Sequence, residues 1–338
     1  RIDVMTRRNG SGARDLFFRN SSGSTYFSSS TAIATSADNS AKGAVLVCDF
    51  NGDGFFDVFL SSGGNRANYF FVQNPAAPGT FTAVAPSSWN TSGVSLPSGF
   101  SGAACADIDN DGDVDLFVGG SVQRLFVNNG SSGTSLSFVS SPQGVSSSGG
   151  TRGVAVADYD RDGDVDFFVN RHNSANQLWR NALGSTADDY LVVLVTDARG
   201  NAFLNARVEL QTCGGARRSP AKLLSGGMGH GTMDEQAVHF GLGEGGINQT
   251  YVVKVTLPGG TTILRAVDAS AFGSAYHQVT IAHNASNDLS ACPCDADFGA
   301  AGSNPCGAAT PACVGGSCQT CRDSASGATD VGCGGATP

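Results

Sequence analysis

Charged side chains are scarce in this chain of 338 residues: they make up 14% of it, and lysine occurs only at Lys42, Lys222 and Lys254. No basic patch or recognition-helix pattern is present, which argues against a nucleic-acid partner. Long apolar runs are also lacking, since clear ones such as Leu191 to Val195 are far shorter than the roughly 18 residues that a membrane-spanning helix needs. The sequence therefore predicts neither nucleic-acid binding nor a membrane span.

The motifs of common catalytic sites are absent too. The sequence contains no GxSxG elbow, no HExxH pair and no phosphate-binding glycine loop. His230, Asp234, Glu235 and His239 lie near one another in the sequence, but we expect a structural role for His239, which belongs to the phrase His-Phe-Gly-Leu-Gly. We therefore predict that the protein is not an enzyme.

One aspartate-rich stretch of nine residues occurs three times, at residues 49–57, 107–115 and 158–166. Each copy offers side-chain oxygens at positions 1, 3, 5 and 9, glycine at position 6 and a backbone carbonyl at position 7, which together suit a calcium ion. The predicted ligands are Asp49, Asn51, Asp53, Phe55 through its backbone, and Asp57; Asp107, Asp109, Asp111, Asp113 and Asp115; and Asp158, Asp160, Asp162, Asp164 and Asp166. We predict that these three loops bind Ca²⁺ or a similar oxygen-seeking cation, the first with one carboxylate fewer.

The loops fit neither an ordinary solvated turn nor an EF-hand. A single match is compatible with a solvated turn, because aspartate and glycine are common in turns, but three copies in register are not. An EF-hand needs glutamate at position 12, where this chain has Leu60, Val118 and Val169. Apolar, β-favouring residues follow each loop, so the loops are predicted to connect strands.

The loops belong to a longer repeat. They begin 58 and then 51 residues apart, and each lies between a strand of small residues and a strand that contains aromatic residues. This predicts several strands per repeat, hence a small sheet or propeller blade. Thirteen of the 29 acidic residues lie in the loops, so the net charge of −9 indicates metal-site chemistry and not a basic partner.

With the downstream phrase Leu125-Phe-Val-Asn-Asn-Gly, the loops resemble the FG-GAP or VCBS repeats of integrin-α-like β-propellers. The resemblance covers residues 1–183 and implies an all-β fold, a β-propeller with calcium in a hairpin at the rim of each blade. Arg1-Ile-Asp-Val-Met aligns with Phe55-Phe-Asp-Val-Phe and places Asp3 at position 9 of a fourth loop. We therefore expect an N-terminally incomplete set of blades.

Residues 184–290 lack the loops and resemble an ASPIC/UnbV domain. The resemblance rests on Asn205-Ala-Arg-Val, on His239-Phe-Gly-Leu-Gly, on Val255-Thr-Leu-Pro-Gly-Gly and on Tyr276-His-Gln-Val-Thr-Ile. It implies a β-sandwich-like domain, although Leu204-Asn205 and Leu257 depart from the family pattern. Cartilage-acidic-protein-like secreted proteins have the same order of propeller and ASPIC/UnbV domain.

Residues 291–338 hold seven of the ten cysteines and too few apolar residues for an ordinary core. Disulfides in an oxidising compartment are the favoured interpretation, with zinc as the alternative. Because seven is odd, one tail cysteine is free, pairs with Cys213 or bonds another chain. Cys48 and Cys105 are predicted to be buried free thiols.

Composition and cysteines favour a secreted or cell-surface location. Six sequons, at Asn9, Asn20, Asn90, Asn129, Asn248 and Asn284, permit glycosylation but do not prove it. Two functions then remain open. The chain is a calcium-binding structural or adhesive protein that assembles with other protein subunits or with its own copies, or it is a soluble secreted propeller that binds protein or glycan ligands.

Overall fold

The computed structural model describes strands at residues 4–6, 15–20 and 27–33, then residues 43–61, 68–90, 102–141, 150–182, 189–226, 232–273 and 276–292, and strands at 313–314 and 317–318. Helical structure within these ranges is limited to Pro86–Trp89 and two 3-10 turns, Gly246–Asn248 and Ala269–Phe272. The all-β prediction is confirmed. None of the described helices is long and apolar enough to cross a membrane.

Four small antiparallel sheets form the N-terminal half. The first sheet contains β1 (Val4–Thr6), β2 (Asp15–Asn20) and β3 (Phe27–Ile33); the second β4 (Val45–Cys48), β5 (Asp57–Leu60), β6 (Tyr69–Gln73) and β7 (Phe81–Val84); the third β8 (Ala103–Ala106), β9 (Asp115–Gly119), β10 (Gln123–Asn128) and β11 (Phe138–Ser140); the fourth β12 (Thr151–Ala157), β13 (Asp166–Arg171) and β14 (Gln177–Trp179). Strands that follow one another in the sequence pair in every sheet, so the predicted sheet per repeat is confirmed.

The second, third and fourth sheets pack face to face. We call the face that carries Phe59, Phe117 or Phe168, the second residue after position 9, the forward face, and the opposite one the backward face. Between the second and third sheets, the rings of Phe70 and Phe138 stack with centroids 5.3 Å apart. Between the third and fourth sheets, the rings of Phe117 and Phe167 lie 5.1 Å apart. Each interface is an apolar core that sets neighbouring loops side by side.

Two further sheets pack against each other in the C-terminal half, and we call them together the sandwich. Its strands are β15 (Asp189–Thr196), β16 (Arg207–Gln211), β17 (Lys222–Leu223), β18 (Val238–Gly243), β19 (Thr250–Thr256), β20 (Thr262–Asp268) and β21 (Gln278–Ala282). One sheet has the order β18-β15-β21, with β15 and β21 parallel, and the other has the order β17-β16-β19-β20. Leu191, Val193 and Phe240 from the one join Val208 and Val253 from the other in a single buried core. The domain boundaries at 184 and 290 stay a prediction.

Two disulfides connect described residues. Cys213 is bonded to Cys292, which is one of the three possibilities left open for the odd tail cysteine. Cys48 is bonded to Cys105, so the prediction of two free thiols was wrong. The physical reason is that the strands of small residues β4 and β8 lie next to each other in adjacent sheets, a proximity that the sequence does not reveal.

Several expectations lie outside the described residues. They are the partial fourth loop ending at Asp3, the state of the remaining tail cysteines, and His230. In the tail, β22 (Cys313–Val314) and β23 (Ser317–Cys318) form an antiparallel pair. Three of the sequon asparagines, Asn129, Asn248 and Asn284, are exposed.

Candidate metal centre

Each acidic loop is the turn of a hairpin that joins β4 to β5, β8 to β9 or β12 to β13. Position 6 has a positive φ in all three, at Gly54, Gly112 and Gly163, as expected for glycine in a sharp turn. Position 4 is also left-handed, with φ of 68° at Gly52 and 58° at both Asn110 and Arg161. The three loops therefore share one backbone course, and glycine and asparagine at position 4 favour its left-handed conformation, whereas the residue type of Arg161 does not predict it.

The aspartate at position 9 is buried and holds its hairpin together. In the second loop, the two carboxylate oxygens of Asp115 accept hydrogen bonds from the backbone N–H groups of Ile108 and Asn128, both at 2.7 Å. Asp57 accepts the same pair of bonds from Phe50 and from Gln73 in β6. Asp166 accepts them from Tyr159 and from Asn181, which follows the end of β14 by two residues. Position 9 therefore ties the loop to the third strand of its sheet, and each oxygen keeps a second lone pair for another partner.

The aspartate at position 1 is buried as well. Asp49 accepts from the N–H of Gly54 at 2.9 Å, and Asp158 accepts from the N–H of Gly163 at 3.0 Å. Within the part of the chain that the structure describes, one oxygen of Asp49 and one of Asp107 are buried without a hydrogen-bond partner. A buried oxygen without a partner is costly, so these two atoms indicate that a group outside the protein belongs there.

Positions 3 and 5 fold the loop locally and, except for the buried Asn51, lie nearer the surface. Asp53, Asp111 and Asp162 each accept a hydrogen bond from the N–H of position 7, at 2.8, 2.8 and 3.1 Å. The amide oxygen of Asn51 accepts from Asp53, and its nitrogen donates to the carbonyl of Gly133. These contacts arrange the oxygens around the centre of the loop.

Carboxylates converge in two of the three loops. Oxygens of Asp107, Asp109 and Asp111 lie within 4.8 Å of one another, and so do those of Asp158, Asp160 and Asp166. In the first loop Asn51 replaces the carboxylate of position 3, and the described residues there form no such group of three carboxylates. A second oxygen in the second loop, Oδ1 of Asp109, is also buried without a partner. This donor set, all oxygen and mostly anionic, fits a hard divalent cation.

The residues at position 7 contribute their backbone to the turn in all three loops. Phe55, Asp113 and Asp164 each donate the backbone N–H to the aspartate at position 5. The side chain of Asp113 is half-buried, and burial together with Asp111 raises its pKa.

Burial makes these carboxylates weak acids when no cation accompanies them. Desolvation raises the pKa of Asp49 and of Asp107 to about 6, and that of Asp57 to about 7. The pKa of Asp109 and of Asp166 is raised to about 6 for the same reason. A divalent cation would favour the ionised forms and release the protons, so cation binding and proton binding compete in these loops.

Basic side chains reach all three loops, and in the first loop Arg207 and Arg217 donate to the carbonyls of Gly54 and Gly52. Arg180 makes ion pairs with Asp160 and Asp162 in the third loop, and the hydrogen bond from Arg180 lowers the pKa of Asp160. The ammonium of Lys222 lies 3.8 Å from Asp107 in the second loop and donates to the carbonyl of His239 at 2.7 Å. Neither contact was predicted from the sequence, because Lys222 lies outside the repeat and Arg180 stands where the second repeat has Val127.

The sandwich contacts all three loops. The N–H of Ala221 donates to Asp49 at 2.7 Å, and the N–H of Gly241 donates to Asp107 at 2.9 Å. His239 Nε2 donates to the carbonyl of Gly163 at 2.9 Å. Asp49 and Asp107, both at position 1, and Gly163 of the third loop are therefore hydrogen-bonded to the sandwich. No signal in the sequence indicated these contacts.

The histidine and acids considered for catalysis serve this interface. Because a carbonyl only accepts, His239 carries its proton on Nε2, and burial lowers the pKa of His239 to about 3. Asp234 accepts from the N–H of Val156 at 3.0 Å, and Glu235 accepts from the N–H of Asp158 at 3.3 Å. A cavity of about 110 Å³ lies between these residues and the inner strands β4, β8 and β12.

Comparisons with known proteins agree with the repeat. The family described as FG-GAP-like repeat matches residues 49–118 and 107–169. Cartilage acidic protein 1 of Xenopus tropicalis is 27% identical over 267 residues, which cover 75% of this chain and 39% of that protein. The mouse and human proteins of that name are each 25% identical over 287 residues, which cover 78% of this chain and 42% of theirs. The chain thus spans about two fifths of the length of these relatives.

Proposed function

Since the chain contains FG-GAP-like repeats in a cartilage-acidic-protein-like architecture, we propose that it is an extracellular calcium-binding structural or adhesive protein. Its three acidic loops bind Ca²⁺, and it serves as a subunit of a surface or filamentous assembly. Its role in this proposal is cohesion and not catalysis.

The observation that carries the calcium proposal is the combination of buried, unpartnered oxygens and converging carboxylates. Asp49 and Asp107, exposed by 0% and 1%, each hold one oxygen that no described group satisfies. Ca²⁺ prefers six to eight oxygen ligands in a flexible arrangement. The side chains at positions 1, 3, 5 and 9 and the carbonyl at position 7 would hold the ion, which would supply the positive charge that the clustered aspartates lack.

Calcium would act mechanically through contacts that the chain already makes. Position 9 connects each loop to the third strand of its sheet, and position 1 of the first two loops connects it to the sandwich. Without a cation, ionised aspartates in one loop repel each other and weaken both connections. With calcium, the same oxygens form a cross-link between sheet and sandwich.

An extracellular location supports this function. Disulfides join Cys48 to Cys105 and Cys213 to Cys292, and such bonds persist in oxidising compartments. Extracellular calcium modules bind at about 10⁻⁴ to 10⁻³ M, so calcium outside a cell would fill the loops. Partners would be other protein subunits, copies of the same chain or extracellular glycans.

The test is a calcium titration by isothermal calorimetry, followed by melting curves in millimolar Ca²⁺, in millimolar Mg²⁺ and in chelator. We expect binding at about three sites per chain and a melting temperature that calcium raises and magnesium raises less, since Mg²⁺ demands a tighter octahedral geometry. Asp109→Ala is expected to lose one site, whereas Glu244→Gln, at an exposed acid outside the loops, keeps all of them. Equal melting temperatures in calcium and chelator would disprove the proposal.

A further inference from the structure

Arg180 brings a positive charge to the third loop from the same repeat. Its guanidinium donates from Nε to Asp160 and from Nη2 to Asp162, the latter at 2.6 Å. These carboxylates stand at positions 3 and 5 of the loop. The pairs lie at the surface, since the side chain of Arg180 is exposed by 53% and those of Asp160 and Asp162 by 26% and 29%. The guanidinium can therefore leave the loop without disturbing the core.

The first two repeats carry valine at the equivalent position. In each repeat, this residue precedes the one whose backbone N–H binds the aspartate at position 9. The three residues are Val72 before Gln73, Val127 before Asn128, and Arg180 before Asn181. Each stands two residues after a residue of the forward face, so its side chain is on that face as well. Among the three repeats, the charge at this position is a property of the third.

The surroundings of the fourth sheet explain why an arginine is tolerated there. Val72 is exposed by 2% and belongs to the core between the second and third sheets, where an unpaired charge would be costly. On the forward face of the fourth sheet, Phe168 is exposed by 46% and Leu178 by 53%. Arg180 therefore reaches its loop along a surface that is open to water, where ion pairs are weak and screened by salt.

The guanidinium neutralises charge that a bound calcium ion would neutralise instead. Oxygens of Asp158, Asp160 and Asp166 converge within 4.8 Å of one another, and Arg180 contacts one of these three carboxylates as well as Asp162. Two cations that share the same carboxylates repel each other. In the absence of calcium, the guanidinium offsets part of the repulsion among the aspartates, and in its presence it opposes binding.

The cation beside the second loop is held differently. The side chain of Lys222 is exposed by only 15%, and its ammonium donates to the carbonyl of His239 and lies 5.2 Å from the centroid of the Phe240 ring. These contacts lie within the sandwich and do not involve the loop. They would hold Lys222 in place whether the second loop is filled or empty.

We propose that Arg180 occupies the third loop when calcium is absent and is displaced by the ion, so that this arginine sets the calcium affinity of the third site. The affinity is then lower than the five aspartates of the loop would give alone. The inference rests on the proposed calcium-binding function and names a residue that regulates one of its sites.

The experiment compares calcium titrations of three full-length proteins by isothermal calorimetry at constant ionic strength. They are the native chain, Arg180→Val, which installs the valine of the other two repeats, and the control Arg199→Val, which removes the same charge from an exposed turn after β15. We expect Arg180→Val to raise the affinity of one site about 3- to 30-fold, as for the loss of two exposed ion pairs. The control should leave every site unchanged.

Melting curves supply a readout that distinguishes competition from a purely structural role. In chelator, Arg180→Val should melt about 1–4 °C below the native chain, because the aspartates lose their counterion. In saturating calcium this difference should vanish. Arg180→Gln, which keeps a polar side chain without the charge, is expected to behave in the same way. An equal loss in both conditions, with no gain in calcium affinity, would overturn the inference.

The Nε–H resonance of Arg180 in the NMR spectrum reports displacement directly, and its absence from the spectrum of Arg180→Val identifies it. In chelator we expect this proton to be protected by its hydrogen bond to Asp160, and in calcium to exchange with water at least about tenfold faster. A resonance that calcium leaves unchanged would also overturn the inference.

The same titrations separate the two proposals. If calcium binds all three proteins with the same affinities and stabilises them equally, only the inference fails. If calcium binds none of them, the proposed function fails, and the inference fails with it.

Discussion

At the scale of single residues, positions within one loop have different tasks. Asp115 is buried and accepts two backbone hydrogen bonds, whereas Asp111 is exposed and accepts one from its own loop. The first therefore supports the hairpin whether or not a cation is present. Asp111 makes only this local hydrogen bond, so its main role in the folded protein is to bind the cation.

This difference predicts the effect of Asp111→Ala. In millimolar calcium the substitution should lower the free energy of unfolding by about 0.4–1.4 kcal/mol, the linkage energy of an ion at about 1 to 10 times its dissociation constant. In chelator the loss should disappear. Denaturant unfolding in both conditions measures it, and a loss of the same size in both would rule out a metal role for Asp111.

Asp115→Ala serves as the contrast in the same measurement. It leaves the N–H groups of Ile108 and Asn128 without their acceptor, which costs at least about 1 kcal/mol with or without calcium. Asp162→Ala is less informative than Asp111→Ala, because Asp162 also forms an ion pair with the exposed Arg180, whose loss adds a small penalty in chelator.

His239 predicts a dependence of stability on pH. Its pKa is lowered to about 3 in the folded protein, below the value of about 6.5 expected when unfolded. The unfolded chain therefore binds the proton first, and stability is lost as pH falls from about 6.5 towards 3, by at most about 1.4 kcal/mol per pH unit.

The variant His239→Gln checks this, because its side chain does not titrate and its amide can still donate to Gly163. The difference in unfolding free energy between native and variant protein, measured in saturating calcium, should change between pH 6.5 and 4 and stay flat above pH 7. A difference that is constant over the whole range would contradict the assignment of a buried neutral imidazole.

The sequence revealed the residue-scale pattern only where the pattern is local. Positions 1, 3, 5, 6 and 9 of the loops could be assigned because a hairpin turn is specified by neighbouring residues. Lys222 and Arg180 could not, because they approach the loops through tertiary structure. The Cys48–Cys105 bond was missed for the same reason.

At the scale of elements, the repeat places one residue type in two environments. Phe117 and Phe168 both follow position 9 of their loops by two residues and both pair with alanine and leucine. The strand itself specifies neither burial nor exposure. The neighbouring sheet decides whether the side chain is buried or exposed. The inner strands were predictable from their apolar, alternating residues. The outer strands were not, because β7 is mostly exposed and β11 is short.

This pair predicts unequal effects of the same truncation. Phe117→Ala should destabilise the chain by about 3–5 kcal/mol, because it opens a cavity in the core between two sheets. Phe168→Ala should cost less than about 1 kcal/mol in dilute solution, because its ring is half in water already. Denaturant unfolding at low protein concentration gives both values, and similar losses would mean that Phe168 is buried in the single chain.

At the scale of the whole molecule, calcium and the docking of the sandwich are linked. The N–H groups of Ala221 and Gly241 donate to carboxylates of the first and second loops. In chelator at pH 8, above the raised pKa values of about 6 of Asp49 and Asp107, these carboxylates are ionised and repel their neighbours. The interface should then open more often than it does in calcium.

Amide hydrogen exchange tests this linkage at single residues. We expect the amides of Ala221 and Gly241 to exchange at least about tenfold faster in chelator, as for local opening, whereas the amide of Val253 in the sandwich core keeps its rate. Faster exchange of Val253 to the same extent would mean global destabilisation, and unchanged exchange of all three would separate calcium from docking.

The sequence indicated the two halves of the molecule but not how they meet. Repeat spacing and loss of the loops after residue 183 distinguish them, since both are properties of the chain itself. The interface is built from backbone groups such as the N–H of Gly241, which any residue other than proline can supply. The residue type at such a position therefore does not predict the contact.

Hydrogen bonds between the sandwich and all three loops also determine how tension would travel through the molecule. A pull on the C-terminal half would be shared among three hairpins, at Asp49, Asp107 and Gly163, which act like springs in parallel. Separation would require all three to yield together. Calcium concentration would then set the force needed to separate the sandwich from the loops. The same chain would resist a larger force in a calcium-rich medium than in a calcium-poor one.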